Sequence, residues 1–253
     1  MLESVVLAKK IDSERFSFQL LNLTMDGVPL NNHTSCTAYD NFLIRCETSW
    51  LGRISYEKGL HFQEALVAQK IAGDPKNYFL FLEHEPVYTM GRKRDDSSLG
   101  VELLPYPVHR AGRGGEATYH GPGQLVCYPI LDLSIFKKDL HAYLRFLEEV
   151  IIQTLIHYRI PAERREGLTG VWVGNSKIAS LGIGVRKWVS FHGLALNISG
   201  DLSPFQKITP CGIHGVTMTS IEKEGKESDI HFIAPSLQEV AEQLDAALRT
   251  WIR

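Results

Sequence analysis

The sequence predicts one domain of the α/β type, with strands and helices that interleave along the chain. Apolar runs of strand length alternate with amphipathic stretches of helical period, which is the pattern of this class. No linker, internal repeat or low-complexity segment divides the 253 residues. The 44% hydrophobic content is enough for a sizeable core, so a single domain is the expected organisation.

Three segments have the apolar spacing of helices. The first begins near Tyr56 and ends before Gly73, and the last begins at a capping box formed by Ser236 and Glu239. The clearest helix covers residues 139–158. Its apolar stripe is expected to contain Leu140, Leu144, Leu147, Ile151 and Leu155.

Strands are predicted between these helices. Residues 78–83 form an apolar run that stops before Pro86, because proline removes a hydrogen-bond donor of the sheet. Residues 124–133 are a second buried run, and two further strands are expected around a Gly174-Asn175 turn.

The composition argues against several classes of function. A formal net charge of −2 gives no sign of binding to nucleic acid or to an anionic membrane. The four cysteines are widely spaced, with no CxxC pair, which fits a reducing compartment better than a disulfide framework. No apolar run reaches the ~20 residues of a membrane helix, and the charged first residues are unlike a secretory signal. We therefore expect a soluble, cytoplasmic protein.

A glycine-rich stretch from Arg110 to Gln124, RAGRGGEATYHGPGQ, is a candidate ligand-binding loop. It fits the G-x-G-x-x-A dinucleotide pattern only formally, because the HGPG that follows cannot begin the helix this motif needs. Glycines let backbone N–H groups approach a ligand closely, and Arg113 and His120 would add donors. We expect residues 110–123 to form a loop that binds a ligand. The alternative is a long surface loop with a purely structural turn.

Cys211 is the candidate nucleophile among the cysteines. It lies between proline and glycine in TPCGIHG, a turn that can expose a thiol, whereas Cys127 lies in the apolar run LVCYPI, where cysteine behaves as a small hydrophobic residue. Only a few per cent of a thiol with a pKa of about 8.5 is ionised at neutral pH. A nucleophilic Cys211 therefore needs a nearby cation or base.

Lys177 is a candidate for that cation. It follows the Gly174-Asn175 turn and precedes the small-residue strand IASLGIGV, so its side chain can point into a partly dry pocket. A solvent-exposed turn lysine is the alternative, and it is the more common state of a lysine.

A metal site is the competing interpretation of the cysteine. Cys211 and His214 have the C-x-x-H spacing of zinc ligands but supply two ligands at most. His84, His120 and His192 each stand alone in the sequence. The residues therefore predict no metal site.

Four longer motifs carry a resemblance to a known family. They are LEHEPVYTMGR, RGGEATYHGPGQLVCYP, KIASLGIGVRKWVSFHGLALNI and TPCGIHGVTMTS. The second fits the pattern R-G-G-x-x-T-aromatic-H-x-x-G-Q, followed by Y-P, almost position by position. Over roughly Leu51 to Trp251 the chain resembles octanoyltransferases of the lipoate-protein ligase B family.

This resemblance implies a fold, an activity and partners. The fold would be an α/β domain (α+β type) with a mixed β-sheet flanked by helices, as in biotin and lipoate ligases. The activity would be transfer of an octanoyl group from octanoyl-acyl carrier protein to a lysine of a lipoyl domain, in 2-oxoacid dehydrogenases or the glycine cleavage H protein. No cofactor is implied. Residues 49–253 would form the catalytic domain, and residues 1–48 would be an extension without an assigned role. Within this extension, alternating apolar residues at 15–23 indicate a strand.

The resemblance also assigns roles to residues. Cys211 would form the acyl-thioester, and Lys177 would be its acid/base partner. The substrate-binding residues would be Arg113, Gly114, Gly115, Glu116, Ala117, Thr118, Tyr119, His120, Ser180, Leu181, Gly182, Gly193, Leu194 and Ala195. The Lys177 ammonium would stabilise the Cys211 thiolate, and after acylation the neutral amine would accept the proton of the attacking lysine.

Several details are left open by the sequence. Small residues in the third motif, such as Gly182 and Gly193, either leave room for an acyl chain or allow close strand packing. The loop N–H groups, with Lys177 or His120, are candidate donors to the oxyanion. Basic groups at 92–94, 164–165 and 186–187 would steer acidic partners, or some of them are ordinary surface charge.

Two other functions compete with acyl transfer. An ATP-dependent lipoate or biotin ligase on the same fold would need no cysteine nucleophile. A non-catalytic protein that binds acyl groups or lipoyl domains would form no covalent adduct.

Overall fold

The structure, a computed structural model, describes residues 46–93, 96–100, 103–210 and 215–251. Its helices are α1 (Tyr56–Ile71), α2 (Leu140–His157), α3 (Ile221–Ser228) and α4 (Leu237–Trp251). Its strands are β1 (Cys46–Ile54), β2 (Asn77–His84), β3 (Val87–Met90), β4 (Val108–Arg110), β5 (Ala117–His120), β6 (Gln124–Ile130), β7 (Ala162–Arg165), β8 (Leu168–Val173), β9 (Ser176–Arg186), β10 (Val189–Asn197) and β11 (Thr217–Met218).

The strands form two sheets within the described residues. The large sheet has the order β1-β2-β6-β10-β9-β8-β7, and β11 pairs with β9 beside this path. It is mixed, because β1 runs parallel to β2 and β11 runs parallel to β9 while the other neighbours are antiparallel. The small sheet has the order β4-β3-β5.

Helices cover both faces of the large sheet, and β2 shows why its sequence is a continuous apolar run. Phe79 and Phe81 pack in the core cluster that contains α2 and α4. Their neighbours Tyr78 and Leu80 pack with α1, in the cluster of Leu66. Since successive side chains of a strand point to opposite faces, a strand buried on both faces needs apolar residues at every position.

The predicted helices are confirmed, and their first residues explain where they begin. The Ser55 hydroxyl accepts from the backbone N–H of Lys58 at the start of α1, which satisfies a donor that the helix leaves unpaired. The helix predicted at 139–158 corresponds to α2. Leu140, in its first turn, is 38% exposed and lies outside the core cluster that holds most of the predicted stripe. Within the described residues, none of the helices is long and apolar enough to cross a membrane.

Two expectations about strands and loops were incomplete. The strand prediction that stops before Pro86 corresponds to β2, but the chain forms a second strand, β3, directly afterwards. The loop predicted at 110–123 is interrupted by β5, which pairs with β3. Both strands owe their conformation to this pairing within the small sheet, and the local sequence does not show it.

The N-terminal predictions fall largely outside the described residues. The strand expected at 15–23 lies there, as do Cys36 and most of the extension at 1–48. β1 begins at Cys46, so it crosses the domain boundary expected between residues 48 and 49.

Removing the capping box of α4 should destabilise the protein modestly. The Ser236 hydroxyl accepts from the Glu239 N–H at 3.2 Å, and the Glu239 carboxylate accepts from the Ser236 N–H at 2.7 Å. Ser236→Ala should lower the free energy of unfolding by about 1 kcal/mol, measured by urea denaturation. Ser228→Ala is the control, since that hydroxyl only donates to a carbonyl within α3. Equal effects of the two substitutions would contradict the capping account.

Candidate active site

Lys177 lies near the start of β9, with a strand on each side. It pairs with Trp172 of β8 and with Met218 of β11. Its side chain is 0% exposed, its Nζ donates to the carbonyl of Thr169 at 2.9 Å, and the Nζ lies 5.4 Å from the centre of the Trp172 ring. A lysine is rarely buried without such partners. The side chain is therefore in a dry site rather than in solvent.

Cys211 and His214 both lie outside the described residues, and so does the candidate C-x-x-H pair that they form. Neither of the two cysteines that the structure describes is suited to act as a nucleophile. Cys127 is fully buried in the core, and burial raises the pKa of the Cys46 thiol to about 11.

Arg113 is used to hold the glycine-rich loop in shape. One Nη atom donates to the carbonyl oxygens of Gly114 and Glu116, both at 3.0 Å. The other donates to the carbonyl and hydroxyl of Thr89, at 2.8 and 2.7 Å. The loop is also fixed to β9, because Gly114 N–H donates to the carbonyl of Ile183 at 2.8 Å. The guanidinium thus connects the loop to the small sheet.

His120 is a buried, neutral histidine with both ring nitrogens engaged. Gln124 donates its amide to Asn197, so its oxygen accepts the Nδ1–H of His120 at 2.7 Å. The hydroxyl of Thr89 accepts from Arg113 and donates to the other nitrogen, Nε2, at 3.3 Å. Burial, with the charge of Arg113 in a smaller role, lowers the pKa of His120 to about 3. In this arrangement His120 has no N–H left for an oxyanion.

A pocket that is partly open to solvent lies between the glycine-rich loop, β5, β6, β9, β10 and the start of α1. All but three of the predicted substrate-binding residues line it: Arg113, Gly115, Glu116, Thr118, His120, Ser180, Leu181, Gly182, Gly193, Leu194 and Ala195. The three others are Gly114, Ala117 and Tyr119. Ala117 and Tyr119 point to the opposite side of β5, into the cluster of Tyr88, as strand alternation requires.

Four residues of the pocket were missed by sequence reasoning: Tyr56, Val126, Tyr128 and His192. His192 lies in a quoted motif, but nothing local distinguished it from a core histidine. Its backbone has a φ of +55°, which is unusual for a residue other than glycine. The buried Gln63 of α1 holds this conformation by accepting from the His192 N–H at 2.6 Å.

Buried polar atoms without a hydrogen-bond partner concentrate in this pocket. Within the described residues they include Tyr56 OH, Thr118 Oγ1, Ser180 Oγ and His192 Nε2, and all four residues line the pocket. Buried polar groups are nearly always hydrogen-bonded, and the exceptions call for a ligand or ordered water. The pocket therefore has the chemistry of a binding site.

The small residues on β9 and β10 serve close packing. A Cβ on Gly182 would lie 2.9 Å from Arg113 Cδ, and a Cβ on Gly193 would lie 2.5 Å from the carbonyl oxygen of Cys127. A Cβ at either position would force its neighbours to move. The sequence left open whether these glycines leave room for a chain, and the structure favours the packing interpretation for both.

The three isolated histidines come together in the fold. The rings of His84 and His120 are 5.8 Å apart, and Tyr128 contacts both His84 and His192. His84 Nδ1 donates to the carbonyl of Ile54 at 3.1 Å, so its Nε2 accepts from the Tyr128 hydroxyl at 2.7 Å. Over the part of the chain that the structure describes, no group of three potential ligands is arranged to hold a metal ion.

The basic groups differ in their contacts. Arg164 pairs with Glu149 at 2.6 Å, and Arg165 lies 4.7 Å from the centre of the Trp172 ring. These two arginines are part of the fold. Arg92, Lys93, Arg186 and Lys187 of these groups are exposed, whereas Arg94 lies outside the described residues.

The fold is that of known lipoate ligases. A putative lipoate protein ligase of T. acidophilum superposes with a TM-score of 0.58 at 18% identity, over 82% of this chain and 85% of the other. A lipoate-protein ligase A bound with ATP gives 0.61 at 16% identity, over 83% and 85%. At such identities the likeness establishes the fold alone, and it confirms the predicted mixed sheet flanked by helices.

Sequence comparison establishes the family. The model of the lipoyl protein ligase A/B catalytic domain matches residues 55–249. An octanoyltransferase of Geotalea uraniireducens is 47% identical over 174 residues, or 69% of this chain and 80% of the relative. One of Citrifermentans bemidjiense is 50% identical over 175 residues, or 69% and 84%. The chain therefore belongs to the lipoyl protein ligase A/B catalytic domain family and, within it, to the lipoate-protein ligase B proteins.

Proposed function

We propose that this protein is an octanoyltransferase that moves an octanoyl group from octanoyl-acyl carrier protein, through a thioester on Cys211, to a lysine of a lipoyl domain. The relatives at 47% and 50% identity carry the name octanoyltransferase. The structural observation that best supports the proposal is the burial of Lys177 on β9, the strand that also supplies Ser180, Leu181 and Gly182 to the pocket.

The proposal pairs Cys211 with Lys177. The chain returns to the described residues at Gly215 and forms β11, where Met218 pairs with Lys177. A strand that follows the cysteine by a few residues thus lies beside the lysine. This neighbourhood supports a joint role of the two residues.

The reaction has two steps that share one proton carrier. In the first, the Cys211 thiolate attacks the donor thioester: a C–S bond forms to Cys211, the donor C–S bond breaks, and the carrier thiolate takes a proton from the Lys177 ammonium. In the second, the amine of the substrate lysine attacks, a C–N bond forms, and the C–S bond to Cys211 breaks. The proton of that amine goes to Lys177, which restores the starting state.

The pocket is the proposed site of the acyl group. Its apolar lining is supplied by Val126, Leu181, Leu194 and Ala195. Burying about six methylenes at ~0.8 kcal/mol each contributes roughly 5 kcal/mol. We assign substrate contacts to the sequence-predicted residues that line the pocket, and the polar atoms without a partner would face the polar part of the substrate or ordered water.

The partners and the compartment stay predictions from the sequence. They are octanoyl-acyl carrier protein as the donor, lipoyl domains of 2-oxoacid dehydrogenases or the glycine cleavage H protein as acceptors, and the cytoplasm as the compartment. No cofactor enters the proposed steps, because the donor is already a thioester.

Transfer without ATP is the test of this function. The purified chain, octanoyl-acyl carrier protein and a lipoyl domain should give octanoylated lipoyl domain in the absence of ATP, detected by mass. Free octanoate with ATP should give none. Product only with octanoate and ATP would instead indicate an ATP-dependent ligase. Binding of both proteins without product would indicate a non-catalytic binder.

A further inference from the structure

We propose that Glu148 of α2 is a positioning residue for Lys177, and that it acts through the peptide group between Thr169 and Gly170. The inference rests on the proposed function, because that function gives Lys177 its role in proton transfer. Glu148 itself lies on α2 and is not among the residues that line the substrate pocket.

One peptide group connects the two side chains. The Gly170 N–H donates to Glu148 Oε1 at 3.0 Å, and the Thr169 carbonyl accepts from Lys177 Nζ at 2.9 Å. These N–H and C=O groups belong to the same amide. In a trans peptide they point to opposite sides, so the amide lies between the carboxylate and the ammonium.

The amide lies between a negative and a positive side chain, and this arrangement makes its two hydrogen bonds stronger than they would be separately. A carboxylate that accepts from the N–H polarises the amide, and the carbonyl of that amide becomes a better acceptor for a cation. The bond to Glu148 is buried and the bond from Lys177 is partly buried, and such polarisation is little screened away from solvent. The negative charge of Glu148 thus favours the Lys177 ammonium and fixes the position of its nitrogen.

The packing around Gly170 shows that the amide touches the lysine closely. A Cβ on Gly170, which has a φ of +134°, would lie 2.4 Å from Lys177 Cε and 2.9 Å from its Nζ. The Trp172 ring is 5.4 Å from the same nitrogen. The pairing of β8 with β9 shifts register between Val171 and Trp172, so the amide meets the lysine where the regular ladder is interrupted.

Glu148 is itself held in place. Its side chain is 1% exposed, and its carboxylate is paired with Arg145 at 2.7 Å and Arg164 at 3.2 Å. A buried carboxylate needs such partners. The adjacent Glu149 shares Arg164 and also accepts from Gln153, but the amide of Gly170 bonds to Glu148. Glu149 is therefore a matched control.

The test compares Glu148→Gln with Glu149→Gln. Glutamine keeps the size and an acceptor oxygen but removes the charge. For octanoyl transfer, Glu148→Gln should lower kcat by about tenfold or more with KM within about twofold of the wild type, while Glu149→Gln stays close to the wild type. A residue that only stabilises the fold would change the melting temperature without this separation of kcat from KM. An unchanged kcat, or an equal loss in both variants, would overturn the proposal.

A second variant covers the case in which Glu148→Gln does not fold. Gly170→Ala leaves the carboxylate and both arginines unchanged, and its Cβ would meet the Lys177 side chain and, at 2.9 Å, the carbonyl oxygen of Ala179. It should show the same loss of kcat at unchanged KM. Wild-type kcat in this variant would overturn the proposal.

A labelling experiment separates this inference from the proposed function. The rate at which acetic anhydride modifies Lys177, read from peptide masses, needs no octanoyl substrate. Glu148→Gln should speed the modification, and Glu149→Gln should not. If the wild type transfers no octanoyl group, the proposed function fails, but the contact is not yet rejected. Equal labelling rates of Lys177 in the wild type and in Glu148→Gln would reject the contact.

Discussion

Replacing Lys177 with alanine should remove most octanoyl transfer, by a factor of about 10² to 10⁴, which is the usual contribution of a positioned acid or base. The loss should fall mainly on transfer to the lipoyl domain, because no amine is left to accept the proton of the substrate lysine. Acylation of Cys211 should persist slowly at high pH, where a thiol ionises without a neighbouring cation. Single-turnover measurements of the adduct and of its transfer, over a range of pH, separate the two steps.

Two further variants make this result specific. Lys177→Met keeps most of the buried volume, so it distinguishes loss of the amine from loss of packing. Lys223→Ala, at an exposed position of α3, should transfer at the wild-type rate. Unchanged turnover in Lys177→Ala would contradict the proposed role of the lysine.

Lowering the pH from 7 to 5 should cost the protein several kcal/mol of its free energy of unfolding. Burial lowers the pKa of His84 from 6.5 to about 4, and the pKa values of His120 and His192 from 6.5 to about 3. Below pH 6.5 the unfolded chain therefore binds protons that the folded protein does not, so stability falls as the pH falls. Each group contributes about 1.4 kcal/mol per pH unit, and the three together contribute up to about 4 kcal/mol per unit.

Urea denaturation at pH 7, 6 and 5 measures this dependence. The contribution is fully present above pH 6.5 and is lost progressively toward pH 4 for His84 and toward pH 3 for the other two. His192→Asn should reduce the pH dependence by about one third, since asparagine tolerates the positive φ of this position. The wild-type pH dependence in that variant would argue against a buried, neutral His192.

The elements that could be predicted from the sequence are those that local patterns determine. The helical spacing of apolar residues and the capping residues predicted α1, α2 and α4. The Gly174-Asn175 turn predicted the strand pair β8 and β9. β3 and β5 were missed or taken for loop because they are short and depend on pairing with each other. Neither strand has a pattern of its own that a local rule can recognise.

The site was predictable to the extent that a motif contains it. The glycine-rich motif and the two strand motifs supplied most of the pocket lining. Tyr56 and Gln63 come from α1, far from these motifs in sequence, and Glu148 reaches Gly170 across 22 positions. Contacts of this kind depend on how α1 and α2 pack on the sheet, and a single sequence does not show that packing.

The measurement that tests the central claim most directly is the intact mass of the full chain after incubation with octanoyl-acyl carrier protein alone. We expect one added octanoyl group, located on Cys211 by peptide mapping, which disappears from the chain and arrives on a lipoyl domain when that domain is added. Transfer to the lipoyl domain without any adduct, or an adduct on a residue other than Cys211, would contradict the proposed thioester route.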